Sequence, residues 1–412
     1  MLKFFSKLEV FLFYLFFLIT LILFPLIISL FFLIKPFLTI RITMILSNRY
    51  GHLALNPMQY LVNKKEENKS NNYLDLFYTS RYGVCNRELL KLWKKKIIIL
   101  PRYLIEPSHI LMNKIFGKNN YFTIPFFDYL IRDTNFYRDL HKPPFELTKN
   151  QIQKCEQILI NEGIDIKKMK YVCLFNRDDA YLNSFKHKKN WYYLSHHNYK
   201  INKFLSTAKE LNKRDIYVIR MGAIVEEKFG EGIPMIFDYA NSKVRSELMD
   251  IFLASNCLFS IGTGTGAIGV SEAYHKPLLE LNANLHHMPT YLKNCVMLSK
   301  HYYSKKLNRN LKLKEIMKYE INELQTRNQL DKEEIDMIDC TDEEIKNACI
   351  ELLERIENNW TIDKKDQLLQ EKFHKSYDNF KIDKKTGFRY HNDMIRALYS
   401  SSFLSKNQEW LD

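Results

Sequence analysis

Residues 260–281 read SIGTGTGAIGVSEAYHKPLLEL. The order is strand, glycine-rich turn, helix, strand. Cys257–Ile261 is a short apolar run with strand character. Gly262, Gly264, Gly266 and Gly269 follow within eight residues, with Thr263 and Thr265 between them. These are four of the 12 glycines in the chain, so a special backbone is expected here. A helix is expected from about Ala267, broken by Pro277 before a buried strand over Leu278–Leu281. Glycines let a backbone approach a ligand, and the N–H groups of a helix start attract anions such as a diphosphate. Glu272, well inside the helix, is placed to reach ribose hydroxyls.

Other phosphate-binding turns have different spacings. No Gly-Lys-Ser/Thr follows, so this is not a Walker loop. The dinucleotide fingerprint carries its acid at the end of the next strand, not inside the helix. The residues Thr265-Gly266-Ala267, Val270-Ser271-Glu272-Ala273 and Lys276-Pro277 resemble the donor-nucleotide site of GT-B glycosyltransferases, in the C-terminal of their two Rossmann-like domains. That resemblance implies that Glu272 binds the ribose and that Gly262, Thr263, Gly264, Thr265 and Gly266 lie by the diphosphate. A plain strand–turn–helix with packing glycines is the alternative.

The chain has 412 residues, enough for two domains plus extras. Hydrophobic residues make up 46% and aromatic residues 14%, which excludes a disordered chain. The net charge of +14 suits nucleic acid, anionic lipid or phosphorylated ligands. No zinc-type Cys/His spacing, RNA-binding motif or arginine-rich tract accompanies it, so no nucleic-acid partner is expected. The seven cysteines are scattered singly, which argues against a disulfide framework and for a reducing compartment.

Val10–Ile34 carries no charge and is long enough to cross a hydrocarbon core of about 30 Å. It is too long for a signal-peptide core and lacks a small-residue cleavage site. It is therefore expected to be a transmembrane anchor, with Pro25 as a kink and a re-entrant hairpin as the alternative. Lys3 and Lys7 precede it; Lys35, Arg41 and Arg49 follow, a slight bias towards a main body on the cytoplasmic side of the inner membrane. The sequons at Asn68 and Asn359 are no more than chance in an Asn-rich chain.

After the anchor, Ile40–Ser47 reads as a strand running into Asn48-Arg49-Tyr50-Gly51-His52 and an amphipathic helix. Tyr73–Tyr78 and Lys96–Leu100 are strand-like, and Glu106–Phe116 is helical. Lys91–Lys96 mixes lysines with Trp93, as a headgroup contact or merely a solvated helix end. Pro143-Pro144 marks a boundary, and Thr148–Gln151 is a capping box opening a helix that Gly163 ends. Strands follow at Lys170–Phe175, Ile216–Arg220 and Met235–Phe237, with helices near Ile201–Asn212 and Ser242–Ser255. Residues 305–358 read as charged helix, with a cap at Thr341–Glu344. Alternating strands and helices imply parallel sheets, whose ligands bind beyond the C-terminal strand ends. That rule selects Arg177, Asp178 and Asp179 after one strand, and Arg220 and Gly222 after another. Either arginine offers a fork of donors to a diphosphate. The Asp178-Asp179 pair suggests a metal, but adjacent carboxylates after a strand point apart, and no metal is expected. His196-His197 has no assigned role.

The Gly51-His52 loop also resembles GT-B enzymes, where the first loop of the N-terminal domain faces the cleft. More widely, the chain after the anchor is similar to a bacterial family of inferred glycosyltransferases with an Arg-x-Gly-His-Leu-Ala-x-Asn stretch. The matching residues are Arg49–Asn56, Arg177-Asp178 with Ala180-Tyr181-Leu182, Ile219–Gly222, Asp238-Tyr239-Ala240, and Phe403-Leu404 with Asn407. Asn176 departs from the pattern, which has histidine there. The resemblance implies an α/β chain of two Rossmann-like, GT-B-like domains: an anchor at 1–38, an acceptor domain at 39–145, a nucleotide-sugar domain at 146–304 and a helical extension at 305–412. It also implies that a helix over 394–404 returns across the N-terminal domain. The function it implies is glycosyl transfer from a nucleotide sugar to a surface-polysaccharide or lipid-linked acceptor, including lipopolysaccharide. Arg177 and Arg220 would hold the leaving diphosphate, His52 would take the hydroxyl proton, and the nucleotide sugar would be a co-substrate with no cofactor or metal. An epimerase or phosphotransferase on the same fold, or a membrane-tethered binding protein, are the alternatives.

Overall fold

The uncharged N-terminal run forms one helix, α1 (Lys7–Ile34), with Pro25 inside it. The computed structural model describes residues 7–66, 72–118, 120–124, 127, 132–185, 192–285, 288–376 and 395–412. Lys3, the sequon at 68–70 and Met394 lie outside these. The chain divides into two compact units, residues 1–146 and 147–412.

In the first unit, α1 is followed by β1 (Thr39–Ile45), α2 (Tyr50–Glu66), β2 (Tyr73–Thr79), α3 (Arg87–Lys94), β3 (Ile98–Ile99) and α4 (Arg102–Phe116). The three strands pair in parallel in sequence order. Asp75 on β2 ties the layers: Arg41 donates to it from β1 at 2.6 and 3.0 Å, and Tyr60 and Lys64 donate from α2. Trp93 is fully buried, its indole N–H donating to the Leu53 carbonyl at 2.7 Å. It is a core residue, which removes it as a headgroup contact. Among the described residues, α1 is the one helix apolar and long enough to cross a membrane.

The second unit runs α5 (Lys149–Asn161), β4 (Lys170–Phe175), α6 (Ala180–Phe185), α7 (Leu205–Asn212), β5 (Ile216–Met221), β6 (Ile236–Phe237), α8 (Glu247–Asn256), β7 (Ser260–Gly262), α9 (Gly269–Ala273), β8 (Leu278–Ala283) and β9 (Cys295–Ser299). Then come β10 (His301–Ser304), β11 (Arg309–Asn310), α10 (Leu313–Lys318), α11 (Arg327–Lys332), β12 (Ile335–Ile338), α12 (Asp342–Ile356), α13 (Lys364–Ser376), β13 (Leu398–Tyr399) and α14 (Ser401–Lys406). Seven strands form one parallel sheet in the order β13-β9-β8-β7-β4-β5-β6. Every residue of β8 is buried, as a strand covered on both faces must be. The capping boxes at Thr148/Gln151 and Thr341/Glu344 both form.

Two expectations are corrected. Residues 305–358 are not all helix: β10, β11 and β12 make a small antiparallel sheet. Nor do residues 395–404 form a single returning helix. Leu398–Tyr399 extend the second unit's sheet as β13, pairing with Val296–Met297, and α14 packs on α12 and α13 of the same unit.

Candidate functional site

Strands β4 and β7 are neighbours at the point where the strand order reverses. From them the chain builds outward through β5 and β6 on one side and β8 and β9 on the other. Loops leaving the C-terminal ends of such a pair diverge and open a crevice, the usual ligand position of an open parallel sheet. Phe175 ends β4 opposite Gly262, which ends β7. Arg177 and the Thr263–Gly266 turn therefore leave the sheet side by side.

The turn needs its glycines. Gly264 has φ +61°, and a Cβ on Gly262 would meet Ile268 Cγ2 at 2.8 Å and Glu280 Oε2 at 3.0 Å. Thr263 is buried, its hydroxyl accepting from the Arg177 backbone N–H at 2.9 Å. The Arg177 guanidinium, half-buried, donates to the Gly264 carbonyl at 3.3 Å. Arg177 is thus fastened to the turn by main chain and side chain together. Thr265 accepts from the Ala267 N–H at 3.3 Å and opens a single 3-10 turn, Gly266–Ile268, before α9. At five residues α9 is shorter than expected, and so short a helix adds little dipole at its start. Arg177 is then the cation that the turn holds for any anion it receives. Asn176, where the resembled family has histidine, donates to the Tyr199 carbonyl at 2.7 Å and so binds the 197–199 segment to the site.

Sequence reasoning missed two residues here. Glu280, in the middle of β8, is 4% exposed and accepts from the Gly264 N–H at 2.8 Å; its other oxygen has no hydrogen-bond partner. Burial pushes its carboxyl up to about 8, and the nearby Glu272 charge adds to this against the pull of the Gly264 N–H. The signal was legible: an acid inside LLEL stands in a strand that must be buried. The second is His196, in a 3-10 helix at Tyr192–His197. It is buried with neither ring nitrogen hydrogen-bonded, and its ring lies 4.0 Å from that of His197. The His197 Nδ1 is 3.9 Å from where a Gly264 side chain would begin. Burial, then the charges of Lys300, Arg177 and Arg327, holds the His196 imidazole down to about 4. No local pattern announces this pair; only the fold brings it to the turn.

The remaining expected residues divide. Glu272 sits on α9, buried, and accepts from the Tyr291 hydroxyl at 2.9 Å. Arg220 is corrected as a diphosphate ligand. It is fully buried, its guanidinium donating at 3.2 Å to both the Asp238 carboxylate and the Glu227 carbonyl, with Asp178 at 3.8 Å. A charge so enclosed balances those two acids and presents no fork to a ligand. Gly222 serves the local fold: a Cβ there would meet Val225 at 2.6 Å, and its carbonyl accepts from Arg245. Asp178 accepts from the Ala180 and Glu226 N–H groups and belongs to no metal-capable cluster among the described residues. The one such group, His301, Cys340 and Glu344, is engaged otherwise: Glu344 caps α12 and pairs with His301, and Cys340 bonds the Ser299 carbonyl.

His52 belongs to the first unit. It lies in the first turn of α2, half-buried, with Nδ1 3.1 Å from Asn56 Oδ1. Burial, then the Arg49 charge, lowers its pKa to about 4 although the Asn56 contact opposes this. The imidazole is therefore neutral at physiological pH, the form that accepts a proton. If it is the base, kcat stays level from pH 8 down to about 5 and falls only near 4, well below the usual histidine range. His52→Ala is expected to lower kcat by ~10²-fold or more and to abolish that acid limb. A pH–rate profile of both proteins checks it; an unchanged limb assigns it to another group.

No protein-family model matches the chain, and no curated protein matches it. Solved structures similar to it include the following three. One is the E. coli ADP-heptose lps heptosyltransferase II, 12% identical over 63% of this chain and 90% of that one, with a TM-score of 0.38. Another is the glycosyl transferase family 9 structure from Veillonella parvula, 10% identical over 77% and 98%, TM-score 0.42. The third is the E. coli heptosyltransferase WaaC with ADP, 9% identical over 63% and 90%, TM-score 0.31. Two of these are heptosyltransferases and one is a family 9 glycosyl transferase. Likenesses so distant do not bear on donor or acceptor.

Proposed function

We propose that the chain is a glycosyltransferase, moving a sugar from a nucleotide-sugar donor to a lipid-linked or surface-polysaccharide acceptor at the cytoplasmic face of the membrane. One observation carries the reading: Arg177 and the glycine turn meet at the C-terminal ends of β4 and β7, where the sheet reverses its order. In this reading the turn receives the diphosphate, and Glu272 on α9 is the ribose acceptor. An acceptor hydroxyl attacks the anomeric carbon, its proton passing to His52, while the bond to the diphosphate oxygen breaks. Arg177 stabilises the negative charge that grows on the leaving diphosphate, and no metal is required of these residues. α1 provides attachment to the membrane.

The test is binding before chemistry. UDP, GDP and ADP, each titrated into the full chain in detergent, are expected to include one that stabilises it. A ligand present at about 100 times its Kd adds ~2.7 kcal/mol, which a thermal melt reads as a clear shift. Product analysis with the matching nucleotide sugar then separates glycosyl transfer from epimerisation or phosphoryl transfer. No shift with any nucleoside diphosphate overturns the reading.

A further inference from the structure

α1 has two apolar faces, and they do different things. Phe17, Thr20, Phe24, Ile28 and Phe31 recur at helical spacing on the inner face. Phe24 is buried in a cluster with Ile42, Tyr78, Leu111, Met112 and Phe122, one hydrophobic cluster of the first unit. Phe11, Leu15, Leu18, Ile22, Leu26 and Leu33 recur on the outer face and are exposed, Ile22 and Leu26 by 70% and 69%. A continuous apolar stripe of this kind marks a surface that meets something other than water.

The helix also has a companion. α4 runs beside it from one end to the other: Arg102 stacks over Phe13, Phe16 meets Tyr103 at 5.4 Å, and Phe32 meets Phe116 at 6.0 Å. From 13 to 32 a helix rises roughly 28 Å, close to the whole hydrocarbon thickness of about 30 Å. If α1 crossed a bilayer in place, α4 would be carried to membrane depth with its Arg102–Glu106 pair, its His109–Tyr78 hydrogen bond and its Asn113–Asn120 contact. The edge of the β1–β2 sheet would follow it into a medium that satisfies no polar group. If α1 crossed alone, the cluster around Phe24 would be stripped open.

We propose that the first unit is monotopic: α1 lies in the plane of one leaflet, outer face in the acyl region, with the exposed side of α4 beside it. This rests on the membrane attachment proposed above and is independent of the sugar chemistry. The occupant is an anionic lipid surface, by charge complementarity. Exposed Ile115 and Phe116 at the end of α4 are flanked by the exposed Lys114 and Lys118, and Lys35 stands 4.0 Å over the Tyr121 ring. Basic and aromatic side chains beside apolar ones are the chemistry of the headgroup boundary.

The two topologies differ in where α1 begins. In a full-length Cys85→Ser background, whose six other cysteines are buried, single cysteines are placed at Lys7→Cys on α1 and Lys91→Cys on α3. Both are expected to resist an impermeant maleimide in intact cells and both to react once the membrane is permeabilised. Labelling of one but not the other in intact cells puts them on opposite sides and overturns the proposal. Separately, an environment-sensitive fluorophore on Ile115→Cys, in mixed phosphatidylethanolamine–phosphatidylglycerol vesicles, is expected to be quenched by lipid-borne quencher. Water-level emission from membrane-bound protein overturns the proposal while leaving attachment intact. Recovery as a detergent-free soluble dimer overturns both, giving the face to a second copy.

Discussion

Arg177→Ala is expected to lower kcat by ~10²-fold or more with the protein still folded. The argument starts from charge. As the sugar–oxygen bond breaks, negative charge builds on the diphosphate, and a donor held beside it stabilises the transition state more than the bound substrate. Arg177 is the cation that the turn itself holds, through its backbone on Thr263 and its guanidinium on Gly264. Because these contacts precede any ligand, little reorganisation is needed during reaction. Removing the side chain leaves the backbone bond to Thr263 in place, so the turn persists. Arg177→Lys keeps the charge but not the planar fork, and is expected to recover part of the loss. Steady-state kinetics with the true donor decide the matter. If Arg177→Ala raises donor KM while kcat is unchanged, the arginine contributes binding common to ground and transition states, and its electrostatic role falls.

The contrast with Arg220 shows how far a rule about strand ends carries. Both arginines stand at or just past the end of an apolar strand, and by position alone they are equivalent candidates. What separates them is Asp238, distant in sequence, which the fold lays against Arg220 at 3.2 Å. No periodicity encodes that meeting. The same division runs through the fold. β4, β5 and β8 were readable because strands covered on both faces are continuous apolar runs, and the capping boxes because their chemistry is local. β12 was not, since IDMI lies among lysines and glutamates that read as helix. β13 is two residues long, and only its pairing with β9 makes it a strand. The glycine turn was visible from composition, whereas the histidines beside it reach it only through the fold, no local pattern marking them.

Glu280→Gln is the second large effect, and its sign depends on pH. The unperturbed carboxyl titrates at 4.5, and burial moves it to about 8 in the folded chain. Between those values the folded protein keeps a proton that the unfolded chain has released. Stability therefore falls as pH rises through this window, and levels off above 8 where both states are ionised. Glutamine carries no such charge, while its carbonyl still accepts from the Gly264 N–H. Relative to wild type, the variant is expected to gain nothing at pH 4.5 or below and on the order of 3–5 kcal/mol at pH 8.5. Thermal melts of the full chain across this range read the difference, and parallel curves for the two proteins would rule it out. The same carboxyl bears on the proposed ligand. Once ionised, it sets a negative charge behind the turn proposed to receive a diphosphate. Nucleoside diphosphate affinity of the wild type should then weaken as pH passes 8, and that of Glu280→Gln should not. A variant more stable in alkali yet losing affinity alongside the wild type would make Glu280 a buried strand residue with no bearing on the turn's ligand.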